Sequence, residues 1–163
     1  MQEKLTWVWL TKSQEVNMRF IIQRVKNSTL RVDNKIVSEI GIGLNVYVGV
    51  CTGDTEANVA KIANKIASLR IFEDENEKLN LSVKDVGGEI LLVSNFTLCT
   101  IEASGNRPNF SLSADKDTAN KLYLLLAEEL RKLGVPTKLG VFAADMQIDT
   151  HLDGPINIYK EIN

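Results

Sequence analysis

The chain has 163 residues, of which 44% are hydrophobic and 25% charged, with a formal net charge of −2. That length fits one domain whose core needs no staple, and the composition is that of an ordinary globule. The charge balance excludes a global basic field for nucleic acid or an anionic membrane, so any RNA contact must come from a local patch.

Residues 1–17 carry both tryptophans, and their apolar part, Leu5 to Leu10, is too short for a signal-peptide core and is interrupted by Thr6. They read as an N-terminal extension, and the domain proper spans residues 18–163. Arg19 to Val25 reads as a strand. Two alternating stretches around Asp33-Asn34, a pair that tolerates positive φ, predict a two-residue hairpin. Gly43 to Val50 follows as a more buried strand. Val59, Ile62, Ile66 and Leu69 then recur at helical spacing.

The stretch from Arg70 to Val83 is charged, with little periodicity, and reads as a loop. Asp74, Glu75 and Glu77 in it lack a calcium-loop pattern, so a solvated acidic loop is expected. Ile90 to Val93 is a short apolar run that breaks into Ser94-Asn95 and resumes at Phe96. A Gly/Pro/Ser/Asn-rich loop follows and contains Arg107 and Phe110. A second helix is expected from about Lys116 to Leu133, with Leu122, Leu125, Leu126, Leu130 and Leu133 as its stripe. Gly134 and Pro136 stop it. The last third returns to strands, the final one entered through Gly154-Pro155.

Early and late strands with two interposed helices predict a single α+β domain. No apolar run approaches transmembrane length. Cys51 and Cys99 lack metal spacing and read as two reduced, buried thiols of a cytoplasmic protein. His151, the only histidine, reads as a turn or loop residue, since no partner to orient it as a base is evident. No phosphate loop, zinc cluster or metalloprotease helix is present. Ser94 and Thr97 have three readings: a nucleophile, which needs a base beside it; a ligand cradle of hydroxyls and amides; or a strand end satisfying a bulge. Gly154-Pro155 is a plain turn or a rigid pair that can hold a cis bond.

The combination is more specific than its parts. In order and spacing, "IIQRV", "GIGLNVYVGV", "RIFEDENEKLNLSV", "LLVSNFTL", "NRPNFSLSA", "GVFAADMQI" and "DGPINI" make the chain resemble the D-aminoacyl-tRNA deacylase family of the bacterial and eukaryotic type. The resemblance covers about nine-tenths of the chain. It implies a mainly antiparallel, barrel-like sheet with two main helices, working as a homodimer with its sites at the interface. It implies hydrolysis of the ester between a D-amino acid, or glycine, and the 3′ end of tRNA. It implies no cofactor, no metal and no membrane partner.

On this resemblance the catalytic residues are Ser94, Asn95, Phe96 and Thr97, with Gly154 and Pro155 contributed by the partner subunit. The substrate-binding residues are Leu98, Arg24, Phe142, Met146 and Asn157, Arg24 lying behind the Gly-Pro turn; Arg107 is added to them from its residue type alone, as a loop arginine that can pair with phosphate. The chemistry is expected to lean on backbone amides, the substrate's own 2′-OH and a water. Two residues depart from the family pattern: Asn95 stands where it has Gln, and Asn157 where it has Thr. These departures keep two other readings open, a deacylase of shifted specificity and a non-catalytic dimer of the same fold.

Overall fold

The computed structural model describes residues 17–101 and 105–162; apart from Asn17, the N-terminal extension lies outside them. The chain opens with three strands, β1 (Met18–Val32), β2 (Lys35–Ile40) and β3 (Gly43–Gly49). Between β1 and β2, Val32 pairs with Lys35. Asp33 and Asn34 have φ of 49° and 60°. This is the predicted two-residue hairpin, with both central residues in the left-handed region that matches strand twist.

A 3-10 turn (Glu56–Asn58) and α1 (Val59–Ala67) lead to a short hairpin of β4 (Phe72–Glu73) and β5 (Leu79–Leu81). Next come β6 (Glu89–Ser94), a second 3-10 turn (Phe96–Leu98), α2 (Lys116–Lys132), β7 (Thr137–Leu139) and β8 (Gln147–Ile162). The main sheet runs β2-β1-β3-β6-β7, with β8 also paired to β1. Every pairing of β1 is antiparallel, whereas β3–β6 and β6–β7 are parallel. The parallel half follows from the helices, since a strand that returns through a crossover helix re-enters the sheet in the same direction.

β6 shows what this does to burial. Ile90 and Leu92 join the core under α1 and α2, while Leu91 and Val93 join a second cluster with Val25, Leu30 and Ile40. A strand buried on both faces needs a continuous apolar run, which is what β6 has. Side chains draw the far margins of the sheet together: Ser38 Oγ donates to the Leu139 carbonyl at 2.5 Å, and Lys138 Nζ to that of Glu39 at 2.6 Å. The outcome is a nearly closed, barrel-like mixed sheet with two helices.

α2 begins where predicted because Asp115 caps it, accepting from the Thr118 amide at 2.9 Å. It ends before Gly134, whose φ is 85°. Leu122, Tyr123, Leu126 and Leu130 are its buried face.

Four expectations are corrected. The Arg70–Val83 stretch is not all loop: it folds into the β4–β5 hairpin, whose turn is held by Asp74 Oδ1 accepting from the amides of Asn76 and Lys78. The last strand does not start at Gly154-Pro155, because β8 runs through that pair, with register shifts against β1 on either side of Val25. His151 is therefore a strand residue, opposite Asn27. Cys51 and Cys99 are not thiols: they form a buried disulfide with Cα atoms 5.7 Å apart. Their sequence separation of 48 residues hides a proximity that the parallel β3–β6 pairing creates.

Candidate functional site

β6 pairs with β3 as far as Ser94, opposite Val48, and the Asn95 amide still donates to the Val48 carbonyl at 2.8 Å. There the backbone leaves the sheet. Asn95 Oδ1 accepts from the Thr97 amide at 3.2 Å and from the Thr97 hydroxyl at 2.5 Å, so Asn95 caps the 3-10 turn that follows. The Leu98 amide donates to the Asn95 carbonyl and the Cys99 amide to that of Phe96. The Phe96 amide alone in this turn has no acceptor among the described residues.

The turn is pinned from two sides. Arg19 Nη1 donates to the carbonyls of Leu98, at 3.0 Å, and Thr100, at 2.6 Å. Gly49 of β3 lies beneath it, where a Cβ would come within 2.8 Å of Leu98 Cβ and 3.1 Å of the Asn95 carbonyl. Only glycine lets the turn sit this close to the strand.

A cleft of about 750 Å³ opens beside the turn, within the range of roughly 300–1,000 Å³ usual for small-molecule sites. Ser94, Asn95, Phe96 and Thr97 form one wall, and Phe142 and Met146, from the segment between β7 and β8, form another. The remaining lining includes Tyr47, Ser113, Lys116 and Asp145. Phe142 rests on Tyr123, with ring centroids 6.1 Å apart. The Tyr123 hydroxyl donates to the Leu92 carbonyl at 2.8 Å, and burial pushes its pKa up to about 12. Burial likewise raises the Tyr47 hydroxyl, against a smaller opposing effect of the Asn45 side chain. Neither phenol ionises near neutral pH.

The Thr97 hydroxyl is already committed to an amide oxygen, and no base lies within hydrogen-bond reach of it among the described residues. Nothing here activates it as a nucleophile. Nor do three or more His, Cys, Asp or Glu side chains converge to hold a metal among these residues. The wall carries hydrogen-bonding groups for a polar, neutral or anionic centre, with apolar side chains facing them.

The other sequence-expected residues lie elsewhere. Leu98 does not line the cleft and sits over Gly49. Arg107 is exposed on the loop before Phe110. Gly154, Pro155 and Asn157 lie on β8, exposed and outside this cleft.

Arg24 is buried behind the Gly154-Pro155 pair, which is joined by a cis bond. Its Nη1 donates to the Ile71 carbonyl at 3.0 Å, and its Nε to the Asp153 carbonyl at 3.2 Å. Ion pairs link it to Asp153 at 3.3 Å and Glu73 at 3.7 Å. A Cβ on Gly154 would stand 2.9 Å from the Ile156 amide nitrogen and 3.4 Å from Arg24 Nη2, at a φ of 127°. Glycine is therefore required there as well.

Sequence reasoning missed Tyr47, Ser113, Lys116 and Asp145. Only Lys116 had a local signal, its place directly after the Asp115 cap; the other three reach the cleft through long-range packing.

The D-Tyr-tRNA(Tyr) deacylase family model matches residues 21–161. The D-aminoacyl-tRNA deacylase of Caldicellulosiruptor saccharolyticus is 45% identical over 141 residues, covering 86% of this chain and 95% of that protein. Its counterpart from Persephonella marina is 48% identical over 136 residues, covering 83% and 92%. Among solved structures, the c-Myc DNA Unwinding Element Binding Protein superposes with a TM-score of 0.84 at 37% identity, over 89% of this chain and 99% of that one. A probable eukaryotic D-amino acid tRNA deacylase superposes with a TM-score of 0.78 over 90% of this chain and all of that one, and at 19% identity it speaks for the fold alone. With a matching fold and relatives near half-identical over most of their length, the chain belongs to the D-Tyr-tRNA(Tyr) deacylase family of hydrolases.

Proposed function

We propose that this chain hydrolyses the ester joining a D-amino acid, or glycine, to the 3′ end of tRNA, a chiral proofreading step, and that it works as a homodimer. The observation that carries this is the Phe96 amide, which has no acceptor among the described residues in a turn whose other amides are engaged. A donor held this way can take the ester carbonyl oxygen and gain strength as negative charge develops on it. Water then adds to the carbonyl carbon, and the bond to the ribose 3′-oxygen breaks. The leaving oxygen takes up a proton, with the neighbouring 2′-OH the nearest proton carrier on the substrate. This division of labour suits a cleft in which no base lies within hydrogen-bond reach of the Thr97 hydroxyl among the described residues.

In this reading, Gly154 and Pro155 of the partner subunit close the cleft. Their carbonyls accept from the substrate ammonium, and the side chain of an L-amino acid would collide with them. Two features support the dimer. β8 has 16 residues and one strand partner, β1, among the described elements, leaving its second edge open. Beside the Gly-Pro pair it exposes Leu152 and Tyr159, at 40% and 56%. A monomer in solution scattering at micromolar concentration would overturn the dimer.

Asn95 turns its amide oxygen back to Thr97 rather than outward. A lost hydrogen bond to a neutral group is worth about 0.5–1.5 kcal/mol, roughly two- to tenfold in rate if it acts only in the transition state. The expected result is a slowed deacylase that Asn95→Gln accelerates modestly. Parallel deacylation of D-Tyr-tRNA, Gly-tRNA and an L-aminoacyl-tRNA tests the proposal. If none is hydrolysed, while Asn95→Gln with Asn157→Thr restores turnover, the wild-type chain is a non-catalytic relative.

We also propose a cytoplasmic location, where aminoacyl-tRNA is used. No described helix is long and apolar enough to cross a membrane. The Cys51–Cys99 bond argues the other way, since disulfides persist mainly in oxidising compartments. Thiol labelling of the protein in intact cells decides between them.

A further inference from the structure

We propose that Lys116 and the exposed ring of Phe96 form a subsite for the nucleotide preceding the terminal adenosine. Lys116 takes the phosphodiester between the two nucleotides, and Phe96 takes the preceding base. The inference rests on the deacylase reading and adds to it where the RNA leaves the cleft.

Lys116 is the first residue of α2 and lines the cleft. It makes no ion pair among the described residues, whereas Lys121 and Lys132 of the same helix pair with Glu56 and Glu129. The carboxylate before it, Asp115, is turned to the Thr118 amide as the helix cap. The ammonium at the cleft thus makes no ion pair, although Asp117 follows it in the same turn, in a chain whose net charge of −2 offers RNA no general attraction. Affinity for a phosphate chain must then be local.

Phe96 is 59% exposed on the cleft wall, and Phe110 braces it edge-to-face at a centroid distance of 5.3 Å. An exposed aromatic ring held in place is a stacking surface for an unpaired base, and single-stranded RNA ends are recognised by stacking of this kind. The other charged group on the lining, Asp145, is exposed and sits on a different element, in the segment leading into β8. It would repel a phosphate there, so the charge distribution directs the RNA toward α2.

The test uses two minimal substrates, the 3′-D-tyrosyl esters of adenosine and of cytidylyl-adenosine. Only the second carries the phosphodiester and the extra base. The quantity read is the ratio of kcat/KM for the dinucleotide ester to that for the adenosine ester. In Lys116→Ala this ratio falls roughly three- to tenfold, through KM, and Lys116→Arg restores most of it. The slope of log KM against log salt for the dinucleotide ester decreases by about 0.7, one phosphate contact on a single strand. Phe96→Leu also lowers the ratio. An unchanged ratio in Lys116→Ala, or an equal loss on both esters, overturns the subsite while leaving the deacylase reading in place. A wild-type protein that hydrolyses neither ester nor D-Tyr-tRNA overturns both.

Discussion

The Ser94–Leu98 turn, where β6 ends, and the Gly154-Pro155 pair, which β8 passes through, both interrupt the regularity of a strand, and they are held in opposite ways. The first is built from short-range backbone bonds and an amide cap, over a glycine that admits close approach. Its long-range ties include the Asn95 amide on the Val48 carbonyl, Ser113 Oγ on the Phe96 carbonyl, Arg19 and the nearby disulfide. The second has little local bonding of its own and rests on one buried cation, Arg24, which joins β1, the segment before β4, and Asp153. A turn made by its own sequence tolerates loss of a distant partner. A strand segment held by a buried guanidinium does not, because the charge, its desolvation and its acceptors are lost or stranded together.

The largest test of this contrast is removal of the disulfide. The chain-entropy model gives a 48-residue loop about 4 kcal/mol. Cys51→Ala with Cys99→Ala should lower stability by that order in urea titration under oxidising conditions. Protection of the β8 amides near Gly154 in hydrogen exchange should fall no more than the global stability requires. Preferential loss at Gly154 would erase the distinction between the two regions.

Arg24→Ala comes next, at about 3 kcal/mol, since two backbone carbonyls lose a donor and two carboxylates lose a counter-ion. Deacylation should fall more than the folded fraction does, because the Gly154-Pro155 pair loses its support. Arg24→Lys keeps the charge without the planar fork and should recover less than half of the loss.

Thr97→Ala is smaller. It removes one hydroxyl from the Asn95 cap but leaves the Thr97 amide bonded. About 1 kcal/mol of stability and a few-fold of rate are expected. A loss of several orders of magnitude with a trapped acyl-enzyme would make Thr97 the nucleophile.

The smallest effect concerns pH. Burial pushes the Asp54 carboxyl up to about 6 from 3.8, against opposing bonds from the amides of Cys51 and Met18. The folded state therefore holds this proton more tightly than the unfolded chain. The stability it contributes is complete below about pH 4 and is lost as pH rises through about 6. Asp54→Asn should flatten the urea midpoint between pH 4 and 6, and an unchanged slope there would show that another group is responsible.

Some of this was legible residue by residue. Asp33-Asn34 announced the hairpin, Asp115 and Gly134 bounded α2, and the polar break after Val93 marked the end of β6. The family motifs pointed to the Ser94–Leu98 turn and to Gly154-Pro155. Other features were not legible. The acidic stretch around Asp74 lacks alternation, because a hairpin of two- and three-residue strands is too short to display a period. Gly154-Pro155 looked like a strand entrance, because proline and glycine normally stop pairing. β8 passes through them by shifting its register against β1.

What the sequence determined by itself is therefore local: caps, turns, stripes and the two motifs, each set by steric and hydrogen-bonding preferences that act over a few residues. Tertiary structure alone decided that β3 and β6 run parallel, that Cys51 meets Cys99 and that Lys116 reaches the cleft. Each joins groups distant in the chain, and such contacts form only when the rest of the fold has closed the intervening loops and supplied the burial that offsets their entropy.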